Sequence, residues 1–495
     1  MSLASAARIA QSALNAVSVE TSIVSRNISG ANNTTYYSEK TANVISAYGG
    51  GAQVRSITNA QNQALFENVL TATSTGATQD ALSAGLGQLN QTIGDTSGNT
   101  SPSALLSAFT NALQSYEASP TDSSLAQATV NAAQSLTSNL NNASATVANI
   151  REQADAQIGT SVSTINSLLS QFHNVNTLIV NGTATGADVT DLEDSRDQIL
   201  KQLSQQIGIT TTTSANNDMS IHTDSGVTLF QETARTVSFT PTNTFTASTN
   251  GNPVTVDGVP VTGPTGMPIQ SGELAGLATL RDHIAVTYQS QLDEIARGLI
   301  DTFAESDQSG SATPSPTQPG LFTYSGAPTM PAASGLAGLA ANIKVNANVD
   351  PSQGGDLNLL RDGGISDPSN HAYIYNTSGD SSYTGRLQQL LTGLSQVQTF
   401  NSSGGIETSD TLNGYANASI SWLDATRQSV ASASDYQSTL LSSATTALSN
   451  ATGANLDNEM SKMLDLEQSY SASARLMSTI NTMFSSLITA MNSMG

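Results

Sequence analysis

The chain has 495 residues, a net charge of −22 with only 16 Lys plus Arg, and no cysteine. Binding to nucleic acid or to an anionic membrane surface needs clustered Lys and Arg, so the sequence all but excludes the first partner class and disfavours the second. The missing thiols rule out disulfides, thiolate metal sites and cysteine nucleophiles. The length fits roughly three domains. Ser, Thr, Asn, Gln and Ala dominate, with 11% charged and 5% aromatic residues. No apolar run near the N-terminus has the length of a secretory signal, and none elsewhere reaches membrane-spanning length.

Leu3, Ala7, Ala10, Leu14, Val17, Thr21, Val24 and Ile28 are spaced alternately four and three apart. That is the period of a helix packing on another helix. An Asn/Gly/Thr/Tyr-rich stretch from Asn27 to Gly51 predicts an extended loop or hairpin. Helices are expected at about 56–94 and 102–118, then a long one from about Thr121 to Asn181. In it Leu136, Leu140, Ala143, Val147, Ile150 and Ala154 keep the four-three spacing, which resumes after one stutter at Ile165, Leu168, Phe172, Val175 and Ile179. Sixty helical residues span roughly 90 Å, a rod rather than a globule.

A further helix is predicted from Asp188 to Ile207. Between 208 and 270 the β-branched stretches Val227–Phe230, Thr236–Thr240 and Val254–Val261 predict strands. Glu273–Glu305 returns to helix. Residues 306–380 are rich in Pro, Gly and Ser, with short strand candidates at Ile343–Val345 and Tyr373–Tyr375. Helices follow at about 382–400 and 411–450, and Gly453 closes the latter. Asn455 is the expected N-cap of a last helix, with Asp457 and Glu459 near its positive end.

That last helix repeats the N-terminal pattern through Leu456, Met460, Met463, Glu467, Tyr470, Ala474, Met477, Asn481, Phe484, Ile488 and Met491. Leu464, Ile480 and Leu487 lie beside this stripe and widen the apolar face, so the helix wants several neighbours. The two stripes, apart from Thr21, Glu467 and Asn481, are the candidate subunit-interface residues. All fourteen prolines lie between Pro102 and Pro368, which leaves both flanks free for long helices.

The expected class is α+β, mainly α, with nested helices: first with last, second with second-last. A terminal coiled-coil unit would hold 1–55 and 451–495. A helical rod would hold 56–207 and 381–450. An outer unit at 208–380 would carry the strands and the helix at 273–305. No nucleotide loop, metalloprotease, dinucleotide, esterase or calcium-loop motif occurs. The acidic run Asp191, Glu193, Asp194 and Asp197, mixed with Arg196, reads as a solvated helix face with local ion pairs. No catalytic, metal or cofactor site is expected.

The tail from Asn455 to Met460 and on through Tyr470–Phe484 resembles the C-terminal helix of the flagellar hook-associated protein 1 family, the first hook–filament junction proteins. Ser25-Arg-Asn-Ile-Ser-Gly-Ala-Asn32 is similar to the start shared by flagellar axial proteins. Asp191–Ser204, Ser271–Leu277 with Leu280-Arg-Asp282, and Gln353–Asp356 with Leu360–Gly363 resemble the same family. Asn33-Thr34-Thr35-Tyr36-Tyr37-Ser38 stands where members carry a Thr-Pro-Gly-Tyr type turn.

The resemblance implies a structural subunit of the extracellular flagellum, exported unfolded by the type III route without a cleaved signal. Its implied partners are other copies of itself, the hook protein, the second hook-associated junction protein and a cytoplasmic export chaperone on the C-terminal helix. Terminal helices would form the inner core of the tube. A sibling axial protein (second junction protein, hook protein or flagellin) is the nearest alternative. A secreted adhesin or effector with coiled-coil ends is a more distant one.

Overall fold

The computed structural model describes residues 2–31, 37–48, 50–93, 100–332 and 336–493. Positions 33–36 of the unusual turn lie outside the described residues.

Helix α1 (Leu3–Gly30) starts at Ser2, whose side chain accepts from the Ser5 amide. It is followed by an antiparallel hairpin, β1 (Lys40–Ser46) and β2 (Ala52–Asn59), with a register shift at Asn43/Val44. The hairpin packs on α1, and it runs past the boundary expected at 55. Helix α2 (Gln63–Ile93) therefore starts later than residue 56. Helix α3 (Pro102–Ala118) is capped by Ser101, with Pro102 at its first turn. There the missing proline N–H costs nothing.

Helix α4 (Ser123–Thr185) has 63 residues, about 95 Å at 1.5 Å per residue. Asp122 caps its start, and Gly186 ends it in the left-handed region at φ 71°. Of the four-three series read from the sequence, all but the half-buried Val175 are buried. Helix α5 (Thr190–Gln206) folds back along it.

Two antiparallel sheets follow. One contains β3 (Ile209–Thr213), β4 (Met219–Thr223), β5 (Thr228–Gln231) and β6 (Thr233–Ala234). The other contains β7 (Val237–Ser238), β8 (Thr255–Val256) and β9 (Val259–Pro260). The strands β3 and β4 fall where no strand was predicted, because Thr210 to Thr213 and His222 carry no apolar alternation strong enough to mark them.

Helices α6 (Glu273–Thr279) and α7 (Ala285–Thr302) are joined through a π-helical turn at Leu280–Ile284. This composite helix was expected in an outer unit. It lies instead inside the helical bundle, packed on α4, α2 and α11. Its residues explain why: Leu292, Ile295, Ala296, Leu299 and Ile300 are all fully buried, so the helix is apolar around most of its circumference and needs neighbours on several sides.

The segment up to α10 is mostly irregular. It contains β10 (Phe322–Thr323), α8 (Leu339–Asn342), β11 (Lys344–Val345) and α9 (Leu359–Asp362). The Tyr373–Tyr375 strand candidate is instead a 3-10 turn at His371–Tyr373 with one bridge from Ile374 to Gly363. Phe109, Phe303 and Phe322 close this end, with ring centroids 5.1–5.5 Å apart.

Helix α10 (Gly385–Ser395) is shorter than the 382–400 expected, because β12 (Gln398–Thr399) pairs with β13 (Ser409–Asp410). Helix α11 (Leu412–Thr452), capped by Thr411, packs along α2. Helix α12 (Leu456–Ser493) packs along α1. The Asn455 side chain accepts from the Asn458 amide at 3.1 Å, as the N-cap reading required. The nesting of first with last and second with second-last is observed.

Candidate functional site

The α1–α12 pair uses a seam that differs from the α12 stripe read in the sequence. Along α12 the side chains enclosed at least partly by the rest of the chain are Glu459, Met463, Leu466, Ser473, Ala474, Met477, Ile480 and Phe484, and of these Glu459 and Ile480 are fully buried. Of the candidate interface residues, Met463, Ala474, Met477 and Phe484 are half-buried. Leu456, Met460, Tyr470, Ile488 and Met491 stay exposed, as do Leu464, Leu476, Met483 and Leu487. On α1, Ala10, Val17 and Val24 are buried within the chain, and Leu3, Ala7, Leu14 and Ile28 are half-buried. Ala16, Ile23 and Asn27 join the buried set without having been singled out. A helix with apolar side chains around most of its surface offers several possible seams, and only tertiary packing selects one.

The second feature lies where the terminal helices meet the rod. Asn27 is 1% exposed. Its Nδ2 donates to the Lys40 carbonyl and to Glu459 Oε2. Its Oδ1 accepts from the Lys40 amide and the Tyr37 hydroxyl. All four bonds measure 2.9 Å. One amide thus ties α1 to β1 and α12, and its hydrogen-bonding capacity is filled, as a buried amide requires. Lys462 closes the outer side through Glu39 and Glu459.

The Lys40 side chain is wholly buried and reaches the rod, 2.6 Å from Asp194 and 3.1 Å from Asp191, with its ammonium 3.7 Å from the Tyr37 ring centroid. Arg26 pairs with Asp188 at 2.8 Å and Asp191 at 2.7 Å. Burial lowers the pKa of Lys40, but the hydrogen bonds it donates to Asp194 and Asp191, with the attraction of their charges, outweigh it and hold the ammonium above its ordinary value. Burial likewise raises Asp191, and Arg26 and Lys40 bring it below the usual carboxylate range.

The acidic run is therefore not the solvated face expected from sequence. Glu193 and Arg196 are buried. Asn217 Nδ2 donates to Glu193, and Arg196 donates to the Asn217 carbonyl and side chain. The counter-charges for the aspartates come from Arg26 and Lys40, more than 150 residues away in sequence. Asp197 borders a cleft of about 110 Å³ lined by Tyr37, Gln61, Asn62, Lys201, Leu448 and Thr452. Burial, with Asp194 and Glu193 adding to it and Arg196 opposing, pushes its pKa up to about 7.

Among the described residues no helix is long and apolar enough to cross a membrane, and no group of three or more His, Asp or Glu is placed to hold a metal ion. The geometry offers joints and contact faces.

Comparison with known proteins locates these features. Residues 86–322 match the family model described as the flagellar hook-associated protein FlgK helical domain. Residues 448–490 match the flagellar basal body rod FlgEFG protein C-terminal model. The helical middle, rather than the tail, thus carries the hook-associated match.

Flagellar hook-associated protein 1 of Bacillus subtilis is 24% identical over 83% of this chain and 79% of its own length. The Salmonella typhimurium protein of that name is 26% identical over 41% of this chain, which spans 37% of that relative. The Escherichia coli protein is 26% identical over 61% of this chain and 56% of its own. A solved flagellar hook junction protein FlgK from Burkholderia pseudomallei is 24% identical, with TM-score 0.41 over 52% of this chain and 46% of that one.

Proposed function

Because the chain belongs to the flagellar hook-associated protein 1 family, we propose that it is a structural subunit joining hook to filament, with no catalytic role. Its terminal helices pack against those of neighbouring copies, and the layer so formed contacts the hook protein on one side and the second junction protein on the other. The chain reaches that place unfolded through type III export, held beforehand by a chaperone on α12.

The observation that carries this reading is the apolar surface α12 keeps after pairing with α1. Leu464 and Leu487 are 60% and 57% exposed. Contiguous apolar area of this kind marks a protein contact. The absence of cysteine suits a chain that unfolds and refolds across an oxidising space.

A strain lacking the gene is expected to show bare hooks by electron microscopy and monomeric flagellin in the medium. Complementation with Leu487→Asp is expected to give exported protein but no filaments, since the aspartate lies in the contact and not in the chain's own core. Full-length filaments in the deletion strain overturn the reading.

A further inference from the structure

Between β7 and β8 the chain runs through residues 239–254 with neither helix nor strand. Two buried arginines hold this loop from beneath. Arg151 of α4 donates to the carbonyls of Thr246 at 2.9 Å and Thr249 at 2.6 Å, and Arg281 of the π-helical turn donates to the Asn252 carbonyl at 2.9 Å. Asp155 of α4 accepts from the Thr242 amide at 2.8 Å. The dipeptide Asn250-Gly251 thus lies between two carbonyls that are each fixed on an arginine. Asn250 is exposed, and neither its side chain nor the Gly251 amide donates to or accepts from any described residue. Arg281 also demands the glycine, because a Cβ at position 251 would stand 2.3 Å from its Cζ.

An asparagine followed by glycine can react with its own backbone. The glycine amide nitrogen, unshielded by a side chain, adds to the asparagine side-chain carbonyl carbon. The bond from that carbon to the side-chain nitrogen breaks, and ammonia leaves with the amide proton. A five-membered succinimide remains, and water opens it at either carbonyl to give aspartate or isoaspartate. An amide already donating a hydrogen bond must first be freed by local opening. The chain has three Asn-Gly pairs. Asn181-Gly182 lies within α4, whose amides bond along the helix. Asn413-Gly414 lies in the first turn of α11, where the Gly414 amide donates to Thr411 Oγ1 at 3.0 Å. Asn250-Gly251 is the pair whose amide is free.

We propose that Asn250 is a self-modification site, converted to aspartate and isoaspartate with water as co-reactant. Isoaspartate lengthens the main chain by one atom between the two arginine-held carbonyls, and so loosens the loop from α4 and the π-helical turn. The site lies within one chain and stands whether or not the hook–filament reading holds.

The test incubates the full chain at pH 8 and 37 °C. Tryptic peptides are then read by mass spectrometry, and isoaspartate is scored by enzymatic methyl esterification. Conversion at Asn250 is expected to run at least about ten-fold faster than at Asn181 and Asn413, and the three rates are expected to converge in guanidinium, where no amide is shielded. Asn250→Gln, whose longer side chain would need a six-membered ring, is expected to abolish isoaspartate in the peptide between Arg235 and Arg281. The added negative charge separates converted from unconverted chain by anion exchange. In the isoaspartate fraction the amides of Thr242 and Asn252 are expected to exchange with deuterium at least about ten-fold faster.

The proposal is overturned if the three sites convert at equal rates in the folded chain, or if Asn250 keeps its lead in guanidinium. It is also overturned if isoaspartate is undiminished in Asn250→Gln, or if exchange in the isoaspartate fraction is unchanged.

Discussion

Replacing Asn27 by alanine removes four hydrogen bonds of 2.9 Å at a site 1% exposed. Two of the abandoned groups have other recourse: the half-buried Tyr37 hydroxyl turns to water, and Glu459 keeps Lys462. The Lys40 amide and carbonyl belong to a residue 1% exposed. Leaving a buried backbone group unmet costs about 1–3 kcal/mol, so the pair amounts to roughly 4 kcal/mol. That loss falls on the terminal unit and not on the rod core. Hydrogen exchange read by mass spectrometry separates the two, because each region opens with its own free energy. Amides of β1, β2 and the first turns of α12 are expected to exchange on the order of 100- to 1,000-fold faster, since each 1.4 kcal/mol is about a factor of ten. The interior of α4 is expected to be unchanged. Asn27→Asp keeps the two bonds accepted from Tyr37 and Lys40 but sets a second carboxylate against Glu459 and the Lys40 carbonyl, so its effect should shrink as acid protonates one of the two carboxylates. Protection of β1 within ten-fold of the unaltered chain would refute the account of Asn27 as the fastener of α1, β1 and α12.

The carboxyl of Asp197 sits at about 7, raised from 3.8. The folded chain thus holds that proton more tightly than the unfolded one. The associated stability is complete below pH 3.8 and is lost as pH rises through about 7. Asp197→Asn is expected to raise stability at pH 8 by about 2 kcal/mol and to leave it unchanged at pH 3.5; this is about half of what the shift implies, because the group borders an open cleft. Denaturant midpoints at the two pH values check this. Arg281 is 1% exposed at the π turn and pairs with the buried Asp155 and with Asp282. Arg281→Met should cost about 3–5 kcal/mol by stranding Asp155, and Arg281→Met/Asp155→Leu should recover most of it. Equal midpoints for the two variants would count against the stranded charge as the cause.

The nested architecture was legible because a four-three apolar period survives tertiary folding, and because prolines confined to the middle leave the flanks helical. The seam on α12 was not legible, since Leu456, Met460, Leu464 and Leu487 are as apolar as Met463 and Ile480. Pattern alone does not rank faces that are all greasy. The joint was hidden for a different reason. Asn27 is one of many asparagines, and the partners of Asp191 and Asp194 are set by folding and not by neighbours in sequence. The short segments that carried the family resemblance, Ser25–Asn32 and Asp191–Ser204, contain Arg26, Asn27, Asp191 and Asp194. Their physical link to each other appears only once the chain is folded. The placement of α6 and α7 in the bundle was missed because the strands ahead of them suggested a separate unit.

The bond between Asn27 and Glu459 joins residues 432 positions apart. Closing a flexible loop of that length carries an entropic cost of several kcal/mol that grows only slowly with further residues. The α1–α12 pair has little core with which to meet it alone. Once α2 and α11 have docked side by side, the two ends leave the rod at the same level and the remaining search is short. Pairing of the termini is therefore expected to come last in the folding order, after the elements between them have docked. A chain emerging N-terminus first keeps α1 without its mate until α12 has also emerged. During that interval the apolar stripe of α1 is open to any other helix of matching period.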